Sequence, residues 1–237
     1  MKNYEEETKM LYDNMEQVWP DNNTWYTYTK ERIYKFIKDN SSIFPKHSKI
    51  LNAGSGGSSY DSVLGELYHV DLSDKFIKNF PKYYVSSIEN LPFEGNYFDS
   101  AICVGSVINY CDSLQALSEI YRVLKPKSYL ILEYERSNTG ELFFKKDYGV
   151  NISFQIYNYN NQNNHKMWLY SDKYVNNLLK SLGFKVIEDE YYHTMSALIN
   201  RFLEDEDRSG SWAKNDKIMP LFLSKFLAHN RILLCYK

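Results

Sequence analysis

The segment Ile50-Leu51-Asn52-Ala53-Gly54-Ser55-Gly56-Gly57 reads as a strand running straight into a glycine turn. Glycines at such a bend permit positive φ and let the backbone approach a ligand with no Cβ in the way. Asp71 sits at the end of the next apolar run, Tyr68–Leu72. A carboxylate at that point of a neighbouring strand can accept hydrogen bonds from both hydroxyls of an adenosine ribose. By itself the pattern also fits an ordinary strand-to-helix turn followed by a surface aspartate.

The elements that must position these residues follow from periodicity. Residues 1 to about 40 carry two helical stripes, Met10 to Trp19 and Ile33 to Ile37, the second with an N-cap candidate at Thr27 or Thr29. Strands are expected at Lys49–Ala53, Tyr68–Leu72 and Tyr83–Ser86, with a short helix around Asp61–Gly65. Ser100–Gly105 and Tyr129–Tyr134 are continuous apolar runs of the buried parallel type. Between them lies an amphipathic helix, Ser113–Leu124, with Leu114, Leu117, Ile120, Tyr121 and Leu124 on one face. Alternation of this kind implies a parallel sheet with helices on both faces. After residue 136 a hairpin is expected from Ile152–Tyr159 and His165–Tyr170, joined through Asn160–Asn164. Then come a helix capped by Ser171 and ended by Gly183, a strand at Phe184–Glu190, two helical stripes within 195–228 broken by a loop at Asp207–Trp212, and a last strand, Arg231–Tyr236.

Three further stretches make the reading specific. Glu89-Asn90-Leu91-Pro92-Phe93-Glu94, Asn96-Tyr97-Phe98-Asp99-Ser100 and Tyr121-Arg122-Val123-Leu124-Lys125-Pro126 occur in the order and spacing of the "LPF…FD…RVLKPGG" series. Over about residues 48–136 the chain thus resembles the class I, Rossmann-like S-adenosylmethionine-dependent methyltransferases. The resemblance implies an α/β fold with a mostly parallel seven-stranded sheet, helices on both faces and an antiparallel last strand. N-terminal helices and insertions would cover the site. A single domain over 1–237 is expected: a helical cap (1–45), a cofactor-binding half (46–136), a hairpin insertion (137–170) and a C-terminal half (171–237) with a helical insertion (195–228).

Carried over position by position, the resemblance implies that Asn52, Gly54, Ser55 and Gly56 pass under the methionine and ribose of S-adenosyl-L-methionine, with S-adenosyl-L-homocysteine as product. Asp71 and Leu72 would meet the ribose, Ser87 and Ile88 would flank the adenine, and Gly105 and Ser106 would line the methionine end. Three positions depart from the family pattern: Asn52 replaces an acid, Ser58 a glycine and Ser87 a common aspartate.

Methyl transfer is an in-line displacement at a carbon already activated by the sulfonium, so much of the task is alignment and exclusion of water. Ligands of open parallel sheets sit beyond the carboxyl ends of the strands. His193 follows the sixth strand of the sheet there, and an antiparallel last strand brings His229 to the same edge. Tyr110 follows the fourth. These three are the candidates for proton transfer or substrate orientation. His165 could sit in a covering hairpin, whereas His47 and His69 read as surface or strand-end residues. Arg122 reads as a helix-end ion pair. Trp25-Tyr26-Thr27-Tyr28 and the two insertions are expected over the pocket, which suits a small-molecule acceptor.

Composition bounds the alternatives. The 237 residues suffice for one sizeable core, and a net charge of −2 gives no basic face for nucleic acid. No apolar stretch is long enough to span a membrane, and MKNYEEETKM lacks the apolar run of a signal peptide, so a cytoplasmic protein without a membrane partner is expected. Cys103, Cys111 and Cys235 have no metal-ligand spacing and read as free thiols, so no metal is expected. The competing readings are a catalytically weak or inactive S-adenosylmethionine-binding protein on the same fold and, less favoured, an NAD(P)-dependent oxidoreductase, whose third fingerprint glycine is missing at Ser59.

Overall fold

A computed structural model describes residues 2–159 and 163–237; the side chains of 2, 3, 158, 159 and 163–165, His165 among them, lie outside the description, as does the expected turn at 160–162. The chain builds strands β1 (Lys49–Ala53), β2 (Glu66–Asp71), β3 (Tyr83–Val85), β4 (Phe98–Cys103), β5 (Leu124–Glu135), β6 (Ile152–Tyr159), β7 (Asn163–Tyr170), β8 (Lys185–Tyr192) and β9 (Asn230–Tyr236). Its helices are α1 (Lys2–Asn14), α2 (Thr24–Asp39), α3 (Ser113–Val123), α4 (Asp172–Leu182), α5 (Thr194–Leu203), α6 (Glu206–Gly210) and α7 (Leu221–Leu227). Seven strands form one sheet in the order β3-β2-β1-β4-β5-β9-β8, and β6 and β7 pair separately. The pairs from β3 through β5 are parallel, while β9 runs antiparallel to both β5 and β8. This is the expected Rossmann-like α/β sheet. Strand order reverses between β1 and β4, and a crevice opens there beyond the strand ends.

Period-2 alternation sends neighbouring side chains to opposite faces. Leu51, Ala101, Cys103, Leu130 and Leu132 pack under α3 and α4. Ile50, Ile102, Val104 and Ile131 pack under Ile33, Phe36 and Ile37 of α2. Both faces are therefore apolar, which is why the central strands read as unbroken hydrophobic runs.

Local chemistry moved several expected boundaries. The cap of α2 is Asn23, which accepts from Trp25 N (2.9 Å) and Tyr26 N (3.3 Å), rather than Thr27 or Thr29. Thr29 instead lies within the helix and bonds Trp25 O and His193. No helix forms at Asp61–Gly65. The chain must return along β1 to start β2 in parallel, and a helix over 58–65 would advance only about 12 Å against the roughly 17 Å of that strand. Leu114 is exposed, and Asp112 caps α3 ahead of it. Helix α3 ends at Val123, and β5 begins at once, with Tyr97 N bonded to Val123 O. Part of the loop expected at Asp207–Trp212 is the short helix α6, capped by Asp205. Helix α4 starts at the Ser171 cap and stops at Gly183 (φ 104), as the sequence indicates. Arg122 pairs with Glu119 and donates to Phe93 O. The three cysteines are free, and among the described residues no helix is long and apolar enough to cross a membrane.

Candidate active site

Two turns at the sheet reversal form the floor of a cavity of about 370 Å³, within the range of small-ligand sites. The first follows β1. Gly54 (φ +64) and Gly56 (φ +51) adopt left-handed backbone, and a Cβ on Gly54 would lie 2.4 Å from Val107, so glycine is required there. Asp71 holds this turn from the adjacent strand. Its Oδ2 accepts from Gly56 N at 2.8 Å and its Oδ1 from Ser73 N at 3.1 Å. Burial pushes the Asp71 carboxyl up, and hydrogen bonds from Gly56, Ser73 and Leu72 act against that shift. Gly54, Ser55, Gly56, Asp71 and Leu72 all line the cavity, and so do Ser87 and Ile88 beyond β3.

Asn52 is buried beneath the turn, not on the cavity wall. Its Nδ2 donates to Ser58 O (2.9 Å) and Ser55 Oγ (3.2 Å). With that donation received, the Ser55 hydroxyl can donate to His69 Nδ1 at 2.7 Å. Burial pulls His69 down to about 4, so the ring is neutral and able to accept. His69 is thus an interior support of the glycine turn rather than a surface or strand-end residue: β2 lies inside the sheet, and Phe80 stacks on the ring at 3.8 Å. Asn52 replaces the familiar acid because the position faces a carbonyl oxygen, where an amide can donate and a carboxylate cannot.

The second turn follows β4. Gly105 (φ +85) and Ser106 (φ +60) point their N–H groups at one oxygen of Glu133, at 2.9 and 2.7 Å. Its other oxygen accepts from Tyr192 Oη (3.0 Å) and Asn230 Nδ2 (2.7 Å). Burial raises the Glu133 carboxyl, opposed by these bonds. Sequence reasoning missed Glu133. The available signal was a lone acid within the run YLILEY, since a carboxyl buried in a central strand must find donors.

The opposite wall brings together groups distant in the chain. Glu135 Oε1 accepts from Ser106 Oγ at 2.9 Å, and its Oε2 faces His229 Nε2 at 3.0 Å. His229 Nδ1 lies 3.1 Å from Thr139 Oγ1 and 3.8 Å from Glu141 Oε2. Burial alone would lower its pKa, but Glu141 and Glu135 raise it to about 9. Tyr110 and His229 both line the cavity. Burial pushes the Tyr110 hydroxyl well up, so it stays protonated.

His193 approaches His229 but does not reach the cavity. Trp25 stacks on it at 4.0 Å and meets His229 edge-on at 5.4 Å. The His193 ring is fully buried and spans Thr29 Oγ1 (2.9 Å) and Ser196 Oγ (2.7 Å). Burial and the neighbouring His229 hold it well below its ordinary value. The convergence expected from topology is real, yet an indole separates His193 from the cavity.

The N-terminal segment closes the top. Trp25 and Tyr26 line the cavity as expected, while Tyr28 lies in the core. Val18 and Trp19, which sequence reasoning left out of the site, come within 3.1 Å of a Cβ position on Gly56 and 3.3 Å of one on Gly105. Tyr157 and Met167 from the hairpin and Glu206 from α6 complete the wall.

Comparisons with known proteins agree with this geometry. Residues 51–132 match the family model described as a methyltransferase domain. The 2-phytyl-1,4-naphtoquinone methyltransferase of Trichormus variabilis is 28% identical over 155 residues, covering 57% of this chain and 68% of that protein. The ubiquinone/menaquinone biosynthesis C-methyltransferase of Rickettsia prowazekii is 40% identical over 73 residues, 30% of this chain and 29% of its own length. The 1,6-didemethyltoxoflavin-N1-methyltransferase of Burkholderia thailandensis, solved with S-adenosylhomocysteine, superposes with a TM-score of 0.58 at 12% identity, covering 100% of this chain and 88% of that one. A likeness at that identity speaks for the fold. The glycine cradle and the cavity-facing carboxylate of Asp71 fit an adenosyl ligand. With the family match over residues 51–132, from β1 into β5, and the Rossmann-like sheet order in place, this chain carries a methyltransferase domain whose glycine turn and Asp71 fit S-adenosylmethionine as the donor.

Proposed function

We propose that the protein methylates a small aromatic metabolite carrying a hydroxyl or amino group, enclosed between Tyr110 and the Glu135–His229 pair. The observation that carries this reading is that Glu135 and His229 meet in the same cavity as the Gly54–Gly56 turn and Asp71. A cavity roofed by Trp19, Trp25 and Tyr26 suits a flat, compact acceptor and leaves no room for a duplex or a folded protein. The names of the quinone-modifying relatives support an aromatic acceptor and keep a ring carbon as the competing methylated atom.

Bound in this cavity, S-adenosylmethionine supplies a methyl group already activated for displacement. Asp71 would hold the ribose hydroxyls, Ser87 and Ile88 would flank the adenine, and Gly105 and Ser106 would face the methionine end. In this reading Glu135 takes the acceptor's proton as the new bond to carbon forms and the carbon–sulfur bond breaks. His229, which carries a proton at neutral pH, holds Glu135 in place, so it acts as a positioning residue rather than as the base. Tyr110 donates to the acceptor, and His193 acts only through Trp25. A small-molecule acceptor, no nucleic-acid partner and a reducing cytoplasmic setting belong to the same proposal.

The test combines calorimetry with product analysis. S-adenosylhomocysteine should bind, and a panel of phenolic and amino-aromatic acceptors should release it with methylated product. Glu135→Gln should abolish turnover while retaining S-adenosylhomocysteine affinity. Full turnover in that variant would remove Glu135 from the reaction.

A further inference from the structure

Helix α7 and the residues leading into it turn apolar side chains outward. Ile218 is 79% exposed, and Leu221, Phe222 and Phe226 are each more than half exposed. This is not a loosely attached helix. Ser224 and Leu227 are buried on its inner side, and Arg136 donates to Lys225 O and Ala228 O, both at 2.6 Å. The outward face continues through Tyr148, whose hydroxyl donates to Phe226 O at 2.7 Å. Tyr148 meets Phe143 at 5.4 Å, and Phe143 meets Phe144 at 4.1 Å. Phe144 is 87% exposed and is held there by left-handed backbone (φ 63), a conformation costly for a bulky side chain. Folding alone gains nothing from placing phenylalanine in water at such a position.

Within the two segments that carry this face, 213–227 and 143–148, the exposed charges are basic. Exposed Lys214, Lys217 and Lys225 accompany Ile218–Phe226, and exposed Lys145 and Lys146 follow Phe144. Within 213–227 the single acid, Asp216, turns inward and accepts from Thr194 N and Met195 N. Asp147 is the one acid in the Phe144 turn.

We infer that this face docks on an anionic lipid bilayer, with the phenylalanine and leucine tips at the acyl boundary and the lysines among the headgroups. The bilayer satisfies both halves of the pattern at once, because lysine stems lie along apolar surface while their charges reach acidic headgroups. A second copy of the chain fits less well. A self-complementary contact here would bring the lysines of both copies together with no outward carboxylate in 213–227 to pair with them. The inference revises the expectation of no membrane partner and is independent of the methylation chemistry.

Flotation with phosphatidylcholine vesicles, with and without phosphatidylglycerol, tests it using the full chain. Binding is expected to the anionic vesicles only and to weaken with salt. Substituting Lys214→Gln, Lys217→Gln and Lys225→Gln together should lower partitioning on the order of 100-fold, about fivefold per lysine. Phe222→Ser with Phe226→Ser should lower it about tenfold or more. Both sets change exposed side chains, and an unaltered thermal melt verifies folding. Absence of binding to anionic vesicles, or binding unaffected by either set, overturns the inference. So does concentration-dependent dimerisation that Phe222→Ser abolishes, since that makes a second copy the occupant.

Discussion

The two walls of the cavity are built in different ways. On the β1–β2–β4 side the shape comes from backbone: left-handed glycines, N–H groups aimed at Asp71 and Glu133, and supports such as Asn52 and Ser55 within a few residues of the bend. On the β5–β8–β9 side it comes from side chains far apart in the chain, Glu135 with His229, backed behind Trp25 by Thr29 with His193. The first wall leaves little choice of residue at fixed spacing, so its sequence is constrained and transferable. The second can be assembled from many residue types, which suits a wall that selects the acceptor.

The largest effect separating the walls should come from Glu133, which joins them. Glu133→Leu strands the Gly105 and Ser106 N–H groups, the Tyr192 hydroxyl and the Asn230 amide, and should destabilise the fold by about 4 kcal/mol in urea titration. Glu133→Gln, still an acceptor, should recover most of that loss. If both variants melt alike, the two walls are not coupled through this carboxylate.

The histidines should then divide the pH dependence. His229 sits at about 9 folded against 6.5 unfolded, so its stabilisation is complete below pH 6.5 and is lost as pH rises through 9. That loss is on the order of 3 kcal/mol. His193 is held below its unfolded value, so its contribution is complete above pH 6.5 and lost as pH falls below it. Stability from this pair therefore peaks near pH 6.5. In melting curves His229→Asn should flatten the alkaline limb and His193→Asn the acid limb; identical profiles for the two variants would contradict the separation made by Trp25.

On the backbone-built wall, Asp71→Ala should weaken S-adenosylhomocysteine binding about 100-fold by calorimetry, as expected for losing two hydrogen bonds to a carboxylate. A change below threefold would move the ribose elsewhere. The smallest effect belongs to Asn52→Asp. Restoring the familiar acid places a carboxylate against Ser58 O and should cost about 1 kcal/mol of stability without tightening cofactor binding.

This difference also explains what the sequence could reveal. The glycine turn, Asp71 and the buried strands were legible because each is dictated by local rules: positive φ, unbroken apolar runs buried on both faces, a helix stopped by Gly183. The antiparallel β9 came from the family resemblance. Illegible were features decided by distant partners. His69 reads as a strand-end residue until Ser55 and Phe80 are seen around it. His193 reads as a cavity residue until Trp25 lies across it. The N-cap of α2 is Asn23 rather than a threonine, and Thr29 lies inside the helix, engaged with His193 from across the fold.

The short stretch carrying Val18 and Trp19 has a temporal consequence. It rests on both glycine turns and is pinned by polar ties: Trp19 Nε1 to Ser58 Oγ at 3.2 Å, and Lys75 Nζ to Asp13 O and Met15 O at 2.9 and 2.5 Å. A nucleoside leaving beneath this stretch has to break these bonds, at about 1 kcal/mol or less each. A form with the stretch lifted lacks these bonds and is the less populated one. The pace of the whole cycle would be set by how often that strap lifts, and loosening Trp19 should speed departure of the spent donor before it alters the chemistry at all.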